Sequence, residues 1–324
     1  MIELVAPTKA NFASFHVPLW VWALFVGVVM FLLLLDLLLV HRKPHVISVR
    51  EALVESAVWI SLGLGFSIVM FIWQGSQAGG EYLAGYLIEK SLSVDNVFVW
   101  AVIFTYFKVP PQFQFRVLFW GIFGALVLRA IFIFAGVALI ETFDWILYVF
   151  GAFLLFTAYR IARHDEQQID PEHNVVLKWA RKAIRSTHEY DGQKIFTIQN
   201  GKRVATPLFI VLIMIEFTDV IFAVDSVPAI LAVSHEPFIV FSSNAFAILG
   251  LRALYFALAG MADRFQYLNV GLGVILAFVG IKMLIAEWYH VPIPISLGVI
   301  GLTLTVAILA SLRKERKEEL DQVG

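Results

Sequence analysis

The sequence of 324 residues contains no cysteine. This absence excludes disulfide bonds, thiolate zinc sites, iron–sulfur clusters and cysteine nucleophiles within these residues. Charged residues are also scarce, since Asp, Glu, Lys and Arg make up 15% of the chain against roughly 25% in soluble proteins. A formal net charge of −1 argues against nucleic acid as a partner. The sequence also lacks a glycine-rich phosphate loop, a nucleophile elbow and an HExxH motif, so we expect neither an enzyme nor a bound cofactor.

Apolar residues, in contrast, are abundant: the AVILMFWYC set makes up 60% of the chain, and the mean hydropathy is +0.82. A helix needs roughly 20 apolar residues to cross a hydrocarbon core of about 30 Å. Nine runs approach or exceed this length, near 18–40, 51–73, 82–107, 116–140, 144–162, 206–233, 237–260, 266–288 and 293–312. The sequence therefore predicts an all-α, multi-pass protein of the lipid bilayer, with residues 1–324 forming a single domain of about nine transmembrane helices.

The positive charges between these runs predict the orientation of the chain. Nearly all of them follow the odd-numbered runs, at Arg42, Lys43, Arg50, Lys108, Arg116, a cluster from Arg160 to Arg203, Arg264 and the tail Arg313–Lys317. Because such residues stay in the cytoplasm, we expect the N-terminus outside and the C-terminus inside. Residues 163–205 then form a cytoplasmic loop. In that loop, Val175–Ile184 has the pattern of an amphipathic helix, and the pairs Asp191-Gly192 and Asn200-Gly201 predict turns.

The third to fifth runs resemble the sixth to eighth. Val94-Asp95-Asn96-Val97 resembles Val224-Asp225-Ser226-Val227. The segment that contains Arg129 resembles the one that contains Arg252, and Gly151 corresponds to Gly273. Chance similarity between apolar helices is the alternative, but it does not explain charged residues that recur in register. The two units enter the membrane from opposite sides, which predicts an inverted repeat with a site near the midplane, an architecture of secondary transporters.

Five acidic residues lie inside the third and sixth predicted membrane helices, where each costs about 2.5–3.5 kcal/mol to insert in charged form. They are Glu89, Asp95, Glu216, Asp219 and Asp225. One interpretation is a set of structural ion pairs with Lys90, Arg129 and Arg252, but these cations are fewer than the acids, and buried pairs stabilise weakly. The other is a cation site, because clustered carboxylates repel one another and bind a divalent ion or protons instead.

Carboxylates and amide oxygens are hard donors, which suit Mg²⁺, Ca²⁺ or Mn²⁺ as a transported ion. Further polar residues are expected beside the ligands or along the ion path, at Asn96, Ser226, Asn244 and Asp36. Asp36 has an alternative interpretation, in which its side chain reaches toward the basic residues at the end of the first run. We expect Arg129 and Arg252 to act as symmetric counter-charges of the acids.

The sixth run raises a geometric problem. At 100° per residue, Glu216 and Asp219 share one helix face, while Asp225 lies on the opposite face from Glu216. Pro228 offers a solution, because a proline breaks the hydrogen bond to the carbonyl four residues earlier, that of Val224. The sequence predicts that the helix unwinds there and turns Asp225 inward.

Export of a divalent ion needs a source of energy. Moving two charges outward against 100 mV costs about 4.6 kcal/mol, and no ATP-binding motif is present. Carboxylates that lose protons when metal binds suit proton antiport. A uniporter, in which the acids only coordinate the ion, is the alternative.

The segments Glu89–Trp100 and Asp219–Ile230 resemble the TerC family of integral membrane proteins, in particular its Alx-like branch. The resemblance extends from the first run to the ninth. It implies an exporter of Mn²⁺ in the bacterial inner membrane, with the motif acids required for export. Two alternatives stay open: a membrane-embedded assembly or scaffold protein, as plant relatives of this family suggest, and a Ca²⁺ exchanger.

Overall fold

The computed structural model describes residues 12–36, 47–143, 145–162, 187, 190–199, 201–258, 266–286, 288–289 and 291–323. Most of these residues are helical. The helices are α1 (Leu19–Leu35), α2 (Val49–Tyr106), α3 (Pro111–Thr142), α4 (Ile146–Ala162), α5 (Pro207–Leu231), α6 (Pro237–Leu249), α7 (Leu251–Leu258), α8 (Gln266–Ile285) and α9 (Ile293–Val323). A two-stranded sheet of β1 (Phe196–Gln199) and β2 (Lys202–Ala205) lies between α4 and α5.

The predicted second and third runs form one element, α2, which bends instead of ending in a loop. A capping box between Ser48 and Glu51 begins this helix. At Gly75 the backbone takes φ 85° and ψ −178°, a conformation open almost only to glycine. The predicted seventh run is likewise divided, because α6 ends before Gly250 and α7 begins after it.

Several of these helices are suited to a bilayer. Among the described residues, five segments are long and apolar enough to cross a membrane: α2, α3, α5, Pro237–Leu258 and Ile293–Lys314. Three shorter apolar helices accompany them, at Leu19–Leu35, Ile146–Ile161 and Val270–Ile285. The prediction of a mostly helical, multi-pass membrane protein is confirmed. The count of nine crossings and the orientation remain predictions.

The helices pack in a pattern that two related units would produce. Helix α2 packs against α6 and α7, α3 packs against α5, and α4 crosses α8. In that crossing, a Cβ added at Gly151 would lie 3.0 Å from the carbonyl oxygen of Gly280, and one at Gly273 would lie 3.6 Å from that of Ala158. The predicted alignment pairs Gly151 with Gly273 and Ala158 with Gly280, so the two contacts are equivalent under exchange of the units. The inverted topology itself is still a prediction.

The loop between α4 and α5 contains the predicted hairpin. Strands β1 and β2 are antiparallel with Gln199 opposite Lys202, so the chain reverses direction between these two residues, where the sequence predicts a turn. A second turn follows Asp191, whose carbonyl accepts a hydrogen bond from the Lys194 amide at 3.1 Å. The Tyr190 hydroxyl donates to the Phe107 carbonyl at 2.6 Å, which ties this loop to the end of α2. The predicted helix at 175–184 lies outside the described residues.

Candidate carboxylate site

Arg129, on α3, lies at the centre of a buried polar cluster. Its Nη1 donates to Glu89 Oε1 at 2.5 Å and to Ser226 Oγ at 2.6 Å. Its Nε and Nη2 donate to the two carboxylate oxygens of Asp219, at 3.4 and 3.3 Å. One guanidinium therefore joins α2, α3 and α5, and it connects one acid from each of the two predicted acidic motifs.

This cluster is cut off from solvent and contains two carboxyl groups for one guanidinium. Arg129 is 1% exposed, and Glu89 and Asp219 are equally buried. Glu89 Oε2 finds no hydrogen-bond partner among the described residues. With both acids ionised, one guanidinium leaves a net charge of −1. Burial of an unbalanced charge is costly, so the cluster favours an additional cation or a proton.

Glu216 lies one helical turn before Asp219 and points toward α3. Its carboxylate packs on Gly124, where an added Cβ would overlap both carboxylate oxygens. Its Oε2 is buried without a hydrogen-bond partner in the described part of the chain. The glycine thus makes the space that this carboxylate occupies. Sequence reasoning missed Gly124, although its position five residues before Arg129 in the repeated segment was a usable signal.

Asp225 lies apart from the Arg129 cluster. Its Oδ1 accepts a hydrogen bond from the Thr157 hydroxyl of α4 at 3.1 Å, and the positive charge of Arg160 lies on the same side. The next residue, Ser226, faces Arg129 instead. Thr157 is a second residue that the sequence reasoning missed, and nothing in its surroundings in the chain distinguishes it.

The polar residues of α2 and α6 that were expected beside the ligands are buried. Asp95 lies in α2, and its side chain is not among those described. Asn96 is buried, and within the described residues its Oδ1 has no partner. The same is true of both amide atoms of Asn244. Buried amides of this kind are able to form further hydrogen bonds with a ligand or a water molecule.

Arg252 does not mirror Arg129. Its guanidinium forms an ion pair with Asp36 of α1 and lies over the ring of Phe115, 4.2 Å from the ring centroid. We expected Arg252 to act as a counter-charge of the acids, symmetric to Arg129. The structure does not show this, because the charge of Arg252 is paired with Asp36, which lies outside the predicted repeat. Asp36 is itself buried. The basic residues at the end of the first run, toward which its side chain was alternatively expected to reach, lie outside the described residues.

The predicted unwinding at Pro228 is wrong. Helix α5 runs from Pro207 to Leu231 with Pro228 inside it. The proline lies three residues before the end of the helix, where the loss of one hydrogen bond, to the Val224 carbonyl, leaves the helix intact. Asp225 consequently remains on the face that points to α4.

One buried acid near the end of the helices was missed. Glu81 Oε1 accepts from the Ala13 amide at 2.6 Å and from Gln77 Nε2 at 3.0 Å, and its Oε2 accepts from Ser234 Oγ at 2.6 Å. It lies one residue before the predicted third run, which begins at residue 82. The structure has a helical bend where the sequence predicted a loop. Glu81 is therefore buried and is not exposed to solvent.

The four of these acids whose side chains are described, Glu89, Glu216, Asp219 and Asp225, do not converge on one point. In the described residues, no three His, Asp or Glu side chains are grouped closely enough to hold a metal ion. Glu89 and Asp219 share Arg129, Glu216 is adjacent, and Asp225 is bound to α4. A guanidinium thus lies between the two acids that a shared cation would bridge. An ion that binds both must displace Arg129.

Fold and site together define the class: a multi-pass integral membrane protein with acidic side chains held in its interior. The chain belongs to the integral membrane protein TerC family, whose sequence pattern matches residues 74–319.

Similar proteins occur in several bacteria. The "Uncharacterized membrane protein STKORF319" of Myxococcus xanthus is 49% identical over 295 residues, which cover 91% of this chain and 92% of that protein. Two proteins named "Putative membrane-bound redox modulator Alx" are 49% identical over 310 residues in Salmonella typhi and 51% identical over 289 residues in Escherichia coli K12. These matches cover 92% and 86% of this chain, and 96% and 90% of the relatives. No solved structure matches the chain.

Proposed function

We propose that this protein is a secondary transporter that exports a divalent cation, Mn²⁺, across the bacterial inner membrane in exchange for protons. The observation that carries the proposal is the buried cluster in which Arg129 joins Glu89 and Asp219 from the two acidic motifs. A purely structural site would balance its charges. This cluster has two acids for one guanidinium, and Glu216 adds a third carboxylate beside it.

The charge balance explains why a divalent cation and protons are interchangeable here. With all three acids ionised and Arg129 charged, the group has a net charge of −2. One divalent ion, or two protons, cancels this charge. When neither is bound, the buried negative charge stays unbalanced. Two protons per ion also cancel the electrical cost of export, which is about 4.6 kcal/mol at 100 mV.

Arg129 acts in this proposal as an internal substitute for the transported ion. It holds Glu89 and Asp219 when no metal is bound and releases them when metal arrives. The guanidinium is suited to this task because its planar fork contacts two carboxylates at once and keeps its charge at any physiological pH. The empty site can therefore close without leaving both acids unpaired.

Oxygen ligands alone do not separate Mn²⁺ from Ca²⁺; the resemblance of the motifs to the TerC family favours Mn²⁺. The names of the similar proteins refer to redox modulation. These 324 residues offer no thiol for such a role. Export of a redox-active metal would affect the redox balance of the cell without thiol chemistry in the transporter.

The test uses purified protein in liposomes, with an outward or inward pH gradient and either Mn²⁺ or Ca²⁺ as substrate. We expect flux of Mn²⁺ driven by the pH gradient and little flux of Ca²⁺. Glu89→Gln and Asp219→Asn should abolish the flux. The control is Glu141→Gln, which neutralises an exposed acid at the end of α3. Folded wild-type protein that moves no Mn²⁺ under either gradient would contradict the proposal and favour the scaffold alternative.

A further inference from the structure

A cavity of about 290 Å³ lies at the end of the bundle that includes residues 232–236, which we call the outer end after the predicted orientation. It is enclosed by α2, α4, the connection from α5 to α6, and the facing ends of α8 and α9. Most of its wall is apolar, with Leu147, Met283 and Ile293 among the lining side chains. This cavity is separate from the Arg129 cluster, and no step proposed above uses it.

A buried ammonium lines this cavity. Lys282, in the last turn of α8, is only 7% exposed. Its one hydrogen bond to a described residue is from Nζ to Ser296 Oγ at 3.3 Å. Within the described residues no carboxylate oxygen lies within 4.0 Å of Nζ, and both oxygens of the buried Glu81 accept other hydrogen bonds. With respect to the described residues, two of the three ammonium donors are therefore available to bind a ligand.

Lys282 carries the one positive charge among the described residues of the wall. His235 also lines the cavity, beneath the stacked ring of Phe12 at 4.2 Å. Burial, together with the neighbouring positive charge of Lys282, lowers the pKa of His235 to about 4. The imidazole is consequently neutral near pH 7. A single ammonium with spare donors in an otherwise neutral wall is complementary to one anionic group.

Aromatic side chains mark the depth of the cavity. Trp288 is 78% exposed, and Tyr289, Trp145 and Trp73 are also exposed at this end. Tyr289 itself lines the cavity. Trp and Tyr concentrate where lipid head groups meet the hydrocarbon core, because one part of each ring system is apolar and the other is polar. The cavity thus lies at the level of the head groups.

We propose that this cavity binds the head group of an anionic phospholipid, with the phosphodiester accepting hydrogen bonds from Lys282 Nζ. The apolar wall contacts the glycerol and the first methylene groups of the chains. A free inorganic anion has no such groups and would leave the apolar wall without a partner. Ser296 holds the ammonium in place. The lipid phosphate in turn gives this ammonium a hydrogen-bonded counter-charge, whereas the carboxyl group of Glu81 acts on it only through its negative charge and forms no ion pair with it in the described part of the chain.

The experiment measures which lipids remain bound to full-length protein. Wild-type protein is placed in nanodiscs of equal parts phosphatidylglycerol and phosphatidylcholine, extracted into detergent and analysed by native mass spectrometry. We expect selective retention of phosphatidylglycerol. Lys282→Met should reduce this retention about tenfold or more, as the loss of a charge-assisted hydrogen bond implies, and Lys282→Arg should preserve it. Lys314→Met, which removes a lysine near the opposite end of the bundle, is the matched control and should change nothing.

A second variant keeps the charge of Lys282 and fills the cavity with a larger side chain. Ala286→Phe, in the wall of the cavity, should also reduce retention of phosphatidylglycerol, while thermal unfolding confirms the fold. Glycerophosphoglycerol, the head group without its chains, should compete poorly. Equal retention of both lipids by wild type, unchanged retention in Lys282→Met, or full competition by the free head group would overturn the proposal; the last result would assign the site to soluble anions.

Discussion

Arg129 combines three contacts that few other side chains could make together. The guanidinium pairs with Asp219 through two nitrogens and reaches Glu89 and Ser226 through the third. Lysine has the charge but not the planar fork, so it can satisfy one of these acids at a time. The identity of this residue, and not only its charge, is therefore expected to matter.

Two substitutions separate charge from geometry at Arg129. Arg129→Lys should fold but export Mn²⁺ about tenfold more slowly, since it loses charge-assisted hydrogen bonds. Arg129→Gln leaves two buried acids without a cation and should destabilise the protein by about 3–5 kcal/mol. Flux assays and thermal unfolding measure the two effects. If Arg129→Gln unfolded at the same temperature as the wild type, this would show that the two acids are already protonated.

Gly124 offers a test of Glu216 that leaves the acid itself unchanged. Gly124→Ala places a Cβ where the Glu216 carboxylate lies, so the carboxylate must move. We expect weaker Mn²⁺ binding in calorimetry and little loss of helix content. Gly65→Ala is the control, because an added Cβ there meets nothing within 4 Å. Equal affinity of the two variants would remove Glu216 from the site.

Among the elements, the sequence predicted the helices better than their joints. Apolar runs and the Asn200-Gly201 turn indicated correct elements because burial and turn chemistry are local properties. The bend at Gly75 was missed, and unwinding at Pro228 was wrongly expected. In both cases the neighbouring helices decide the outcome. The same limit applies to Arg252, whose partner Asp36 lies 216 positions earlier.

The bend in α2 provides a prediction at this scale. Gly75→Ala forces an L-residue into a region that costs about 1–3 kcal/mol, so the variant should unfold at a lower temperature. Gly65→Ala, ten residues earlier in the same helix, should be neutral or slightly stabilising, because alanine is the better helix former. Thermal unfolding of both in one detergent is the measurement. If the bend relaxed into a straight helix in Gly75→Ala, the unfolding temperature would not fall, which would contradict this prediction.

At the scale of the whole molecule, the helices enclose a buried cluster in which carboxyl groups outnumber the one guanidinium. Composition and hydropathy were sufficient to predict the membrane class. The cost of buried acids selected five residues, of which Glu89 and Asp219 meet at Arg129 and Glu216 lies one helical turn before Asp219. The arrangement of those acids around Arg129 depends on contacts between α2, α3 and α5 that no local pattern encodes. The proposed transport cycle rests on this arrangement.

The measurement that tests the cycle most directly follows Mn²⁺ and protons at the same time. Liposomes with the wild-type protein contain a pH-sensitive dye, and Mn²⁺ is added on one side under zero membrane potential. We predict counter-flow of about two protons for each Mn²⁺, as the net charge of the three acids and Arg129 requires. Both flows should disappear in Glu89→Gln and persist in Glu141→Gln. Movement of Mn²⁺ without any proton counter-flow would contradict the account and identify a uniporter.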